Sequence, residues 1–361
     1  MKKYNVVTLV KTPNAEWQAR GFGDRLMCCA LQRKLTRFSR SRVIALLAAG
    51  MSMAFGSFVA AQTTGGGQTP YVAVDRPANV TAIPGVVAAG AKWQPVFSSV
   101  ELQDGIVGTP DGGILIAMQE NDVVRKIEPD GVTTIYLGGT QGAGALALDN
   151  DGRLFAVHRK EPTKLGQLAP QRRVIAETLP DGKSVGRLSD LVVDLKGGFY
   201  MTGAGFHYIN PQGVVSVLAP EVQTNGIALS PDGKTLYVTN STELVAFDLQ
   251  PDGMPSNQRV FVKLNDTNAD GMAVDTAGRV YVACAIGVHV ISPQGRELGI
   301  IPTARRGTSL AFSGPGKKTL YMLAVGANRT DGTMLSMAEG PNGRTLFKLP
   351  MLTEGFKGRP K

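Results

Sequence analysis

The sequence predicts an all-β protein, a six-bladed β-propeller preceded by an N-terminal leader with a signal peptide and a flexible linker. Three observations carry that reading. A glycine turn ahead of an apolar strand recurs six times, the recurrences lie a blade's length apart, and no segment keeps a helical period. The six units are PDGGILIA (110–117), NDGRLFAV (150–157), LKGGFYMT (195–202), PDGKTLYVT (231–239), TAGRVYVA (276–283) and GPGKKTLYML (314–323). Their marker glycines, Gly112, Gly152, Gly197, Gly233, Gly278 and Gly316, are spaced 40, 45, 36, 45 and 38 residues apart. Asp-Gly and Gly-Gly provide the backbone conformations that tight hairpins need, and β-branched or aromatic residues follow them. Another apolar segment precedes most turns (ALALD, LVVD, IALS, MAVD), and a third follows (VVRKIEP, FHYINP, LVAFDL, VHVISP). With a loop-proximal segment, each unit supplies the four strands of a blade. The last strand, RTLFKLP (344–350), is placed to pair with WQPVF (93–97) and close the ring. The plan is thus a leader over 1–61, a Gly/Pro-rich linker over 62–92, the propeller over 93–353 and a tail over 354–361.

Charge separates the leader from the body. The 361 residues carry a formal charge of +9. Residues 1–61 hold ten basic and two acidic side chains, leaving the other 300 at +1. A near-neutral body has no electrostatic footprint for nucleic acid. Within the leader, VIALLAAGMSMAFGSFVAA (43–61) follows the basic run RKLTRFSRSR and ends in small residues before Gln62. That order is the order of a secretory signal, which predicts cleavage near Ala61, a periplasmic or secreted product and no stable membrane insertion afterwards. The n-region is long, and Met27 offers an internal start. The 19 apolar residues also have the length of an uncleaved anchor, weakened by Gly50, Ser52, Gly56 and Ser57.

Cysteine and histidine chemistry is sparse. Cys28 and Cys29 lie in the leader, so the body holds Cys284 alone, which reads as a buried inert thiol. His158, His207 and His289 fall on three different blades without the spacing of a metal motif and read as strand-edge or substrate-lining residues. Arg172-Arg173 and Arg305-Arg306 read as solvated loop charges. Gly65-Gly66-Gly67 lacks the lysine of a phosphate loop, and Ser336 lacks a nucleophile elbow.

The segments TNGIALSPDGKTLYVTN (224–240) and NADGMAVDTAGRVYVA (268–283) resemble the gluconolactonase, regucalcin and senescence-marker family of six-bladed propellers. TSLAFSGPGKKTLYML (308–323) is similar to that family's last blade, with Ser309 where an Asn is usual, and the resemblance runs over roughly 95–350 in the same motif order. It implies one divalent metal ion (Ca²⁺, Mg²⁺, Mn²⁺ or Zn²⁺) at one mouth of the channel. The metal ligands implied are Asp104 in LQDGIVGTPDGG, Asn225 in QTNGIALS and Asp270 in NADGMAVD. Asp104 stands where the family has Glu, and Glu101 is three residues out of register. RLSDLVVDLKGGFYMTG (187–203) resembles the family's R-x-N-D segment, which implies substrate binding by Arg187 and by Ser189, the latter replacing Asn. Gly144 in GAGALALD replaces another Asn. Taken alone, Asn225-Gly226 and Asp270-Gly271 read first as turn residues entering a strand; three such places on three blades read as oxygen donors for a hard cation.

The function this implies is metal-dependent opening of a lactone or related cyclic ester by activated water, with Asp270 as the catalytic base and a small-molecule lactone as partner. A non-catalytic ligand- or protein-binding propeller is the alternative, because fold does not fix function. A quinone-dependent sugar oxidoreductase is the third, against which stands the lack of a His/Arg pair in one motif.

Overall fold

Asp149 shows how the repeated turns are made. Its carboxylate accepts backbone N–H bonds from Asp151 (3.0 Å) and Arg153 (2.8 Å), while its own N–H donates to the Arg153 carbonyl. Gly152 takes a φ of +75° inside this turn, a conformation strained for a side chain. Asp194 and Asp275 accept equivalent pairs of N–H bonds in their own blades. The marker motif is therefore a hairpin connection, as its composition predicts.

The computed structural model describes residues 8–11, 17–20, 75–336 and 338–357. Thr8–Lys11 and Trp17–Arg20 pair antiparallel as a unit of their own. From residue 75 onward the chain forms six four-stranded antiparallel sheets, the six blades expected. Their first strands are Gln103–Gly108, Ala143–Leu148, Leu191–Val193, Ile227–Leu229, Met272–Val274 and Gly307–Ser313. These pack side by side in a ring, with blade 6 returning to blade 1. Among the described residues the helical content is one 3₁₀ turn, Pro315–Lys317.

The ring closes by strand exchange. Gln94–Ser99 is the outer strand of blade 6, antiparallel to Arg344–Pro350, with Ser99 opposite Arg344 and Gln94 opposite Lys348. Blade 6 is thus built from both ends of the propeller, and no sheet edge is left where they meet.

Period-two alternation fills the spaces between blades. In blade 5, Met272, Val274, Val280 and Val282 face blade 4, whereas Ala273, Tyr281 and Ala283 face blade 6. Each of the six interfaces has its own buried apolar cluster of this kind. Edge-to-face ring pairs sit in three of them: Phe155–Phe199 at 4.8 Å, Phe206–Phe247 at 5.1 Å and Tyr281–Phe312 at 5.0 Å.

Two expectations change. The stretch expected as linker is packed from Asp75 onward: Val80, Ile83, Val86 and Val87 join the core between blades 5 and 6, and Trp93 donates to the Pro302 carbonyl at 2.9 Å. Pro and Gly deny this arm regular structure without denying it apolar side chains to bury. The beginning of the tail is also held, since Gly355 bridges to Asp275 and the Phe356 N–H bonds the Val274 carbonyl. Among the described residues no helix is long and apolar enough to cross a membrane; the signal segment 43–61 and Cys28-Cys29 lie outside them.

Phe155→Ala should remove about 3–5 kcal/mol of stability, because it empties a closed interface between two blades. Urea unfolding measures this, and a loss below about 1 kcal/mol would mean the interface repacks freely.

Candidate functional site

Glycines bring the candidate donors together. Asp104, Asn225 and Asp270 each precede a glycine, and none of Gly105, Gly226 and Gly271 has a positive φ. They are sites of close approach. A Cβ on Gly105 would lie 2.6 Å from Ala145 Cα, and one on Gly271 would lie 2.8 Å from Ser309 Cα; at Gly226 it would strike the Asp270 carbonyl. The small residue lets each inner strand lie against the next at the rim, so the preceding side chains converge on one mouth. The turn reading of these pairs gives way to this one.

The mouth is a charged ring. Asp104, at the start of blade 1's inner strand, accepts an ion-paired hydrogen bond from Arg159 Nη1. Arg159 follows Leu154–His158 of blade 2, and its Nη2 donates to the Ser189 carbonyl of blade 3 at 2.6 Å. Ser189 Oγ donates to Asn225 Oδ1 of blade 4 at 2.8 Å. In blade 5, Asp270 Oδ2 lies 3.6 Å from Arg306 Nη1. The side chains of Asp104, Arg159, Asp270 and Arg306 are between 15% and 27% exposed, so water reaches the ring without filling it. Arg344 stands nearby, its pKa lowered by burial and by the like charge of Arg306.

Asp270 carries the clearest electrostatic signature. Burial first, and then the Asp104 carboxylate, push it up to about 8, with Asp190 adding and Arg306 and Arg159 opposing. Asp190 itself accepts from the Ile227 N–H at 3.2 Å, tying blade 3 to blade 4 below the rim.

Of the residues singled out in the sequence, Asp104, Ser189, Asn225 and Asp270 are brought together. Arg187 is exposed beside them, two residues before Ser189, and among the described residues no hydrogen bond joins its guanidinium to the ring. Two arginines read as solvated loop charges are nothing of the kind. Arg305 is 2% exposed and pairs with Asp75 at 2.5 Å and 3.0 Å, locking the N-terminal arm, while Arg306 turns to Asp270. Residues missed by sequence reasoning are Arg159 and Arg344; Asp190 was matched as part of the R-x-N-D segment but given no role. For Arg159 the available signal was its place at the end of a second strand, directly alongside Gly144.

The donor chemistry at the mouth fits a hard divalent ion: the carboxylates of Asp104 and Asp270 and the amide oxygen of Asn225. Asp104 and Asn225, however, already have partners in Arg159 and Ser189. A second group of metal-ligand atoms, Asp266, Cys284 and His289, lies within 4.8 Å on blade 5. There His289 holds Glu297 at 2.5 Å through Nδ1 and Asp266 at 3.2 Å through Nε2. Burial and the nearby Asp266 charge raise the Cys284 thiol far above its usual range, in keeping with an inert side chain. His158 bonds the Thr140 carbonyl at 2.8 Å, and burial lowers both His158 and His207; the three histidines do not meet. Two clefts of about 390 and 430 Å³ lie at the hairpin-turn end of the inner strands, around Asp149 and Gly197 and around Gly152 and Lys317, away from the mouth.

Known proteins extend this picture. The chain is 25% identical over 213 residues to a lactonase drp35 of Staphylococcus haemolyticus, covering 53% of this chain and 66% of that protein. It is 21% identical over 253 residues to a gluconolactonase of Zymomonas mobilis, covering 57% and 71%. Among solved structures, a gluconolactonase of Xanthomonas campestris superposes with a TM-score of 0.64 at 20% identity over 78% of this chain and 97% of that one. A regucalcin of Agrobacterium tumefaciens, titled a calcium-binding protein, gives 0.57 at 20% identity over 73% and 92%. Both likenesses speak to the fold. The SMP-30/gluconolactonase/LRE-like region is matched by residues 133–326, more than half of the sequence, and the chain belongs to that family.

Proposed function

We propose that this chain is an exported lactonase-type hydrolase that opens a lactone or related cyclic ester at the mouth bearing Asp104, Asn225 and Asp270, with a divalent metal held there. The observation that supports the reading is the polar network linking Asp104 through Arg159 and Ser189 to Asn225, with Asp270 close enough to feel the Asp104 charge, in a member of this family. The relatives named as lactonases support the reaction class.

A divalent ion, when bound, polarises an ester carbonyl and lowers the pKa of water. The chain's own groups supply the rest. Asp270 is a carboxylate with raised proton affinity, suited to take the proton of the attacking water as its oxygen bonds the carbonyl carbon. The same proton can pass to the ring oxygen as the acyl C–O bond breaks, leaving a hydroxy acid. Arg306 holds the Asp270 carboxylate in place from 3.6 Å. Ser189 Oγ and Asn225 Oδ1 form one hydrogen-bonded wall, and Arg187, exposed two residues before Ser189, is the candidate for binding polar substituents of the substrate.

Turnover of a panel of γ- and δ-lactones, read by acid release, tests this. Wild-type activity should disappear on chelation and return on metal add-back at millimolar concentrations. Asp270→Ala should lose at least about 10²-fold in kcat, the low end of a general base's contribution. Asn225→Ala should chiefly raise the metal concentration required. Unchanged turnover in chelated wild type and in Asp270→Ala would remove this reading and leave a binding propeller.

Export has its own measurement. N-terminal sequencing of the chain from the periplasmic or secreted fraction should begin at or close to Gln62. A membrane-bound product retaining residues 1–61 would overturn it.

A further inference from the structure

The family resemblance leaves Arg159 without a role, yet its guanidinium bridges blades 1 and 3 at the mouth. Its guanidinium touches Asp104 of blade 1 through Nη1 and the Ser189 carbonyl of blade 3 through Nη2, and Ser189 passes the connection to Asn225 of blade 4. Two of the three proposed metal ligands are therefore joined by a side chain of this protein. Gln119 Oε1, 3.4 Å from Nη1, completes the contact.

Room for this side chain has been made. A Cβ on Gly144 would collide with Nε, Cδ and Cζ of Arg159. Gly144 is the position at which the resemblance leads one to expect Asn, so the missing amide and the inserted guanidinium are two sides of one exchange. Arg159 is also imperfectly held, because its buried Nε has no hydrogen-bond partner. Charge completes the argument. Asp104 and Asp270 face the guanidiniums of Arg159, Arg306 and Arg344. While the Arg159–Asp104 pair is closed, the Asp104 charge that would attract a divalent ion is already neutralised by Arg159.

We propose that Arg159 is a built-in cation of the mouth that competes with a divalent metal ion for Asp104, so that the ion binds at Asp104, Asn225 and Asp270 only when the Arg159–Asp104 pair parts. This rests on the metal site of the preceding reading and sets how readily that site fills. Arg159 is a positioning residue: it holds Asp104 toward the ring and releases it to the ion.

The test is Mn²⁺ binding to the full chain, measured from the electron paramagnetic resonance of free Mn²⁺. Arg159→Gln removes the charge and the Nη contacts to Asp104 and Ser189 while keeping a shorter polar side chain beside Gly144. It should bind Mn²⁺ at least about tenfold more tightly than wild type, equivalent to about 1.4 kcal/mol. Arg159→Lys, which retains a cation, should keep most of the wild-type weakness. Adding Asp104→Asn to Arg159→Gln should abolish the gain, and thermal melting confirms that each variant is folded. Equal affinity of wild type and Arg159→Gln, a gain that survives Asp104→Asn, or no Mn²⁺ binding in any variant at millimolar concentration would overturn the proposal. Lactone turnover is read separately. Mn²⁺ binding that follows the expected order without hydrolysis of any lactone would sink the hydrolase reading and leave the competition standing.

Discussion

Everything at the mouth depends on the closure of the ring by Gln94–Ser99 against Arg344–Pro350. Six wedge-like sheets can direct six inner strands at one axis only if the first and last sheets are held together. The pairing does so with backbone hydrogen bonds between residues about 250 positions apart, as in Ser99 opposite Arg344. Nothing local rewards the chain for making that contact early, so the closing strand belongs to the slow, long-range part of folding. The arm over 75–92 reinforces it, since Arg305 ties Asp75 to the Gly326 carbonyl and to Thr345 inside blade 6. This buried guanidinium has charged and neutral acceptors on three sides, the condition under which a buried charge is tolerated.

Inside the ring, two kinds of glycine divide the work. Those of the hairpin turns, such as Gly152, relieve backbone strain. Gly105, Gly226 and Gly271 instead have ordinary φ and serve by their lack of a side chain, allowing inner strands to touch at the rim. The donors Asp104, Asn225 and Asp270 owe their convergence to that contact. A larger residue at any of the three would part adjacent blades at the end where the chemistry is proposed, at a cost set by overpacking rather than by turn geometry.

The mouth is an electrostatic compromise. Burial beside Asp104 raises Asp270 to about 8, while Arg306 pulls it back. Arg159 offsets part of the repulsion that Asp104 exerts. The positive charge at this mouth comes from Arg159, Arg306 and Arg344.

Local chemistry determined much of this protein before any tertiary structure was considered. Hairpin turns, strands with period-two alternation and six recurrences specify six blades, because each depends on residues within a few positions of one another. The pairing of WQPVF with RTLFKLP could be read as well, since a ring of six repeats has only two ends to join. The rim donors were legible through the family resemblance that their motifs carry; the residues alone read first as turns. Only the folded ring decided the rest. Arg159, in HRKEP, and Arg306, in ARRG, look like any solvated basic residue until blades distant in sequence place Asp104 and Asp270 in front of them. The arm over 75–92 reads as a linker by its composition, but composition reports the lack of regular structure and not the lack of burial: Val80, Val86 and Val87 find their partners in blades 5 and 6. Charge and burial are properties of the whole surroundings of a side chain, and for these residues the surroundings come from the far ends of the sequence.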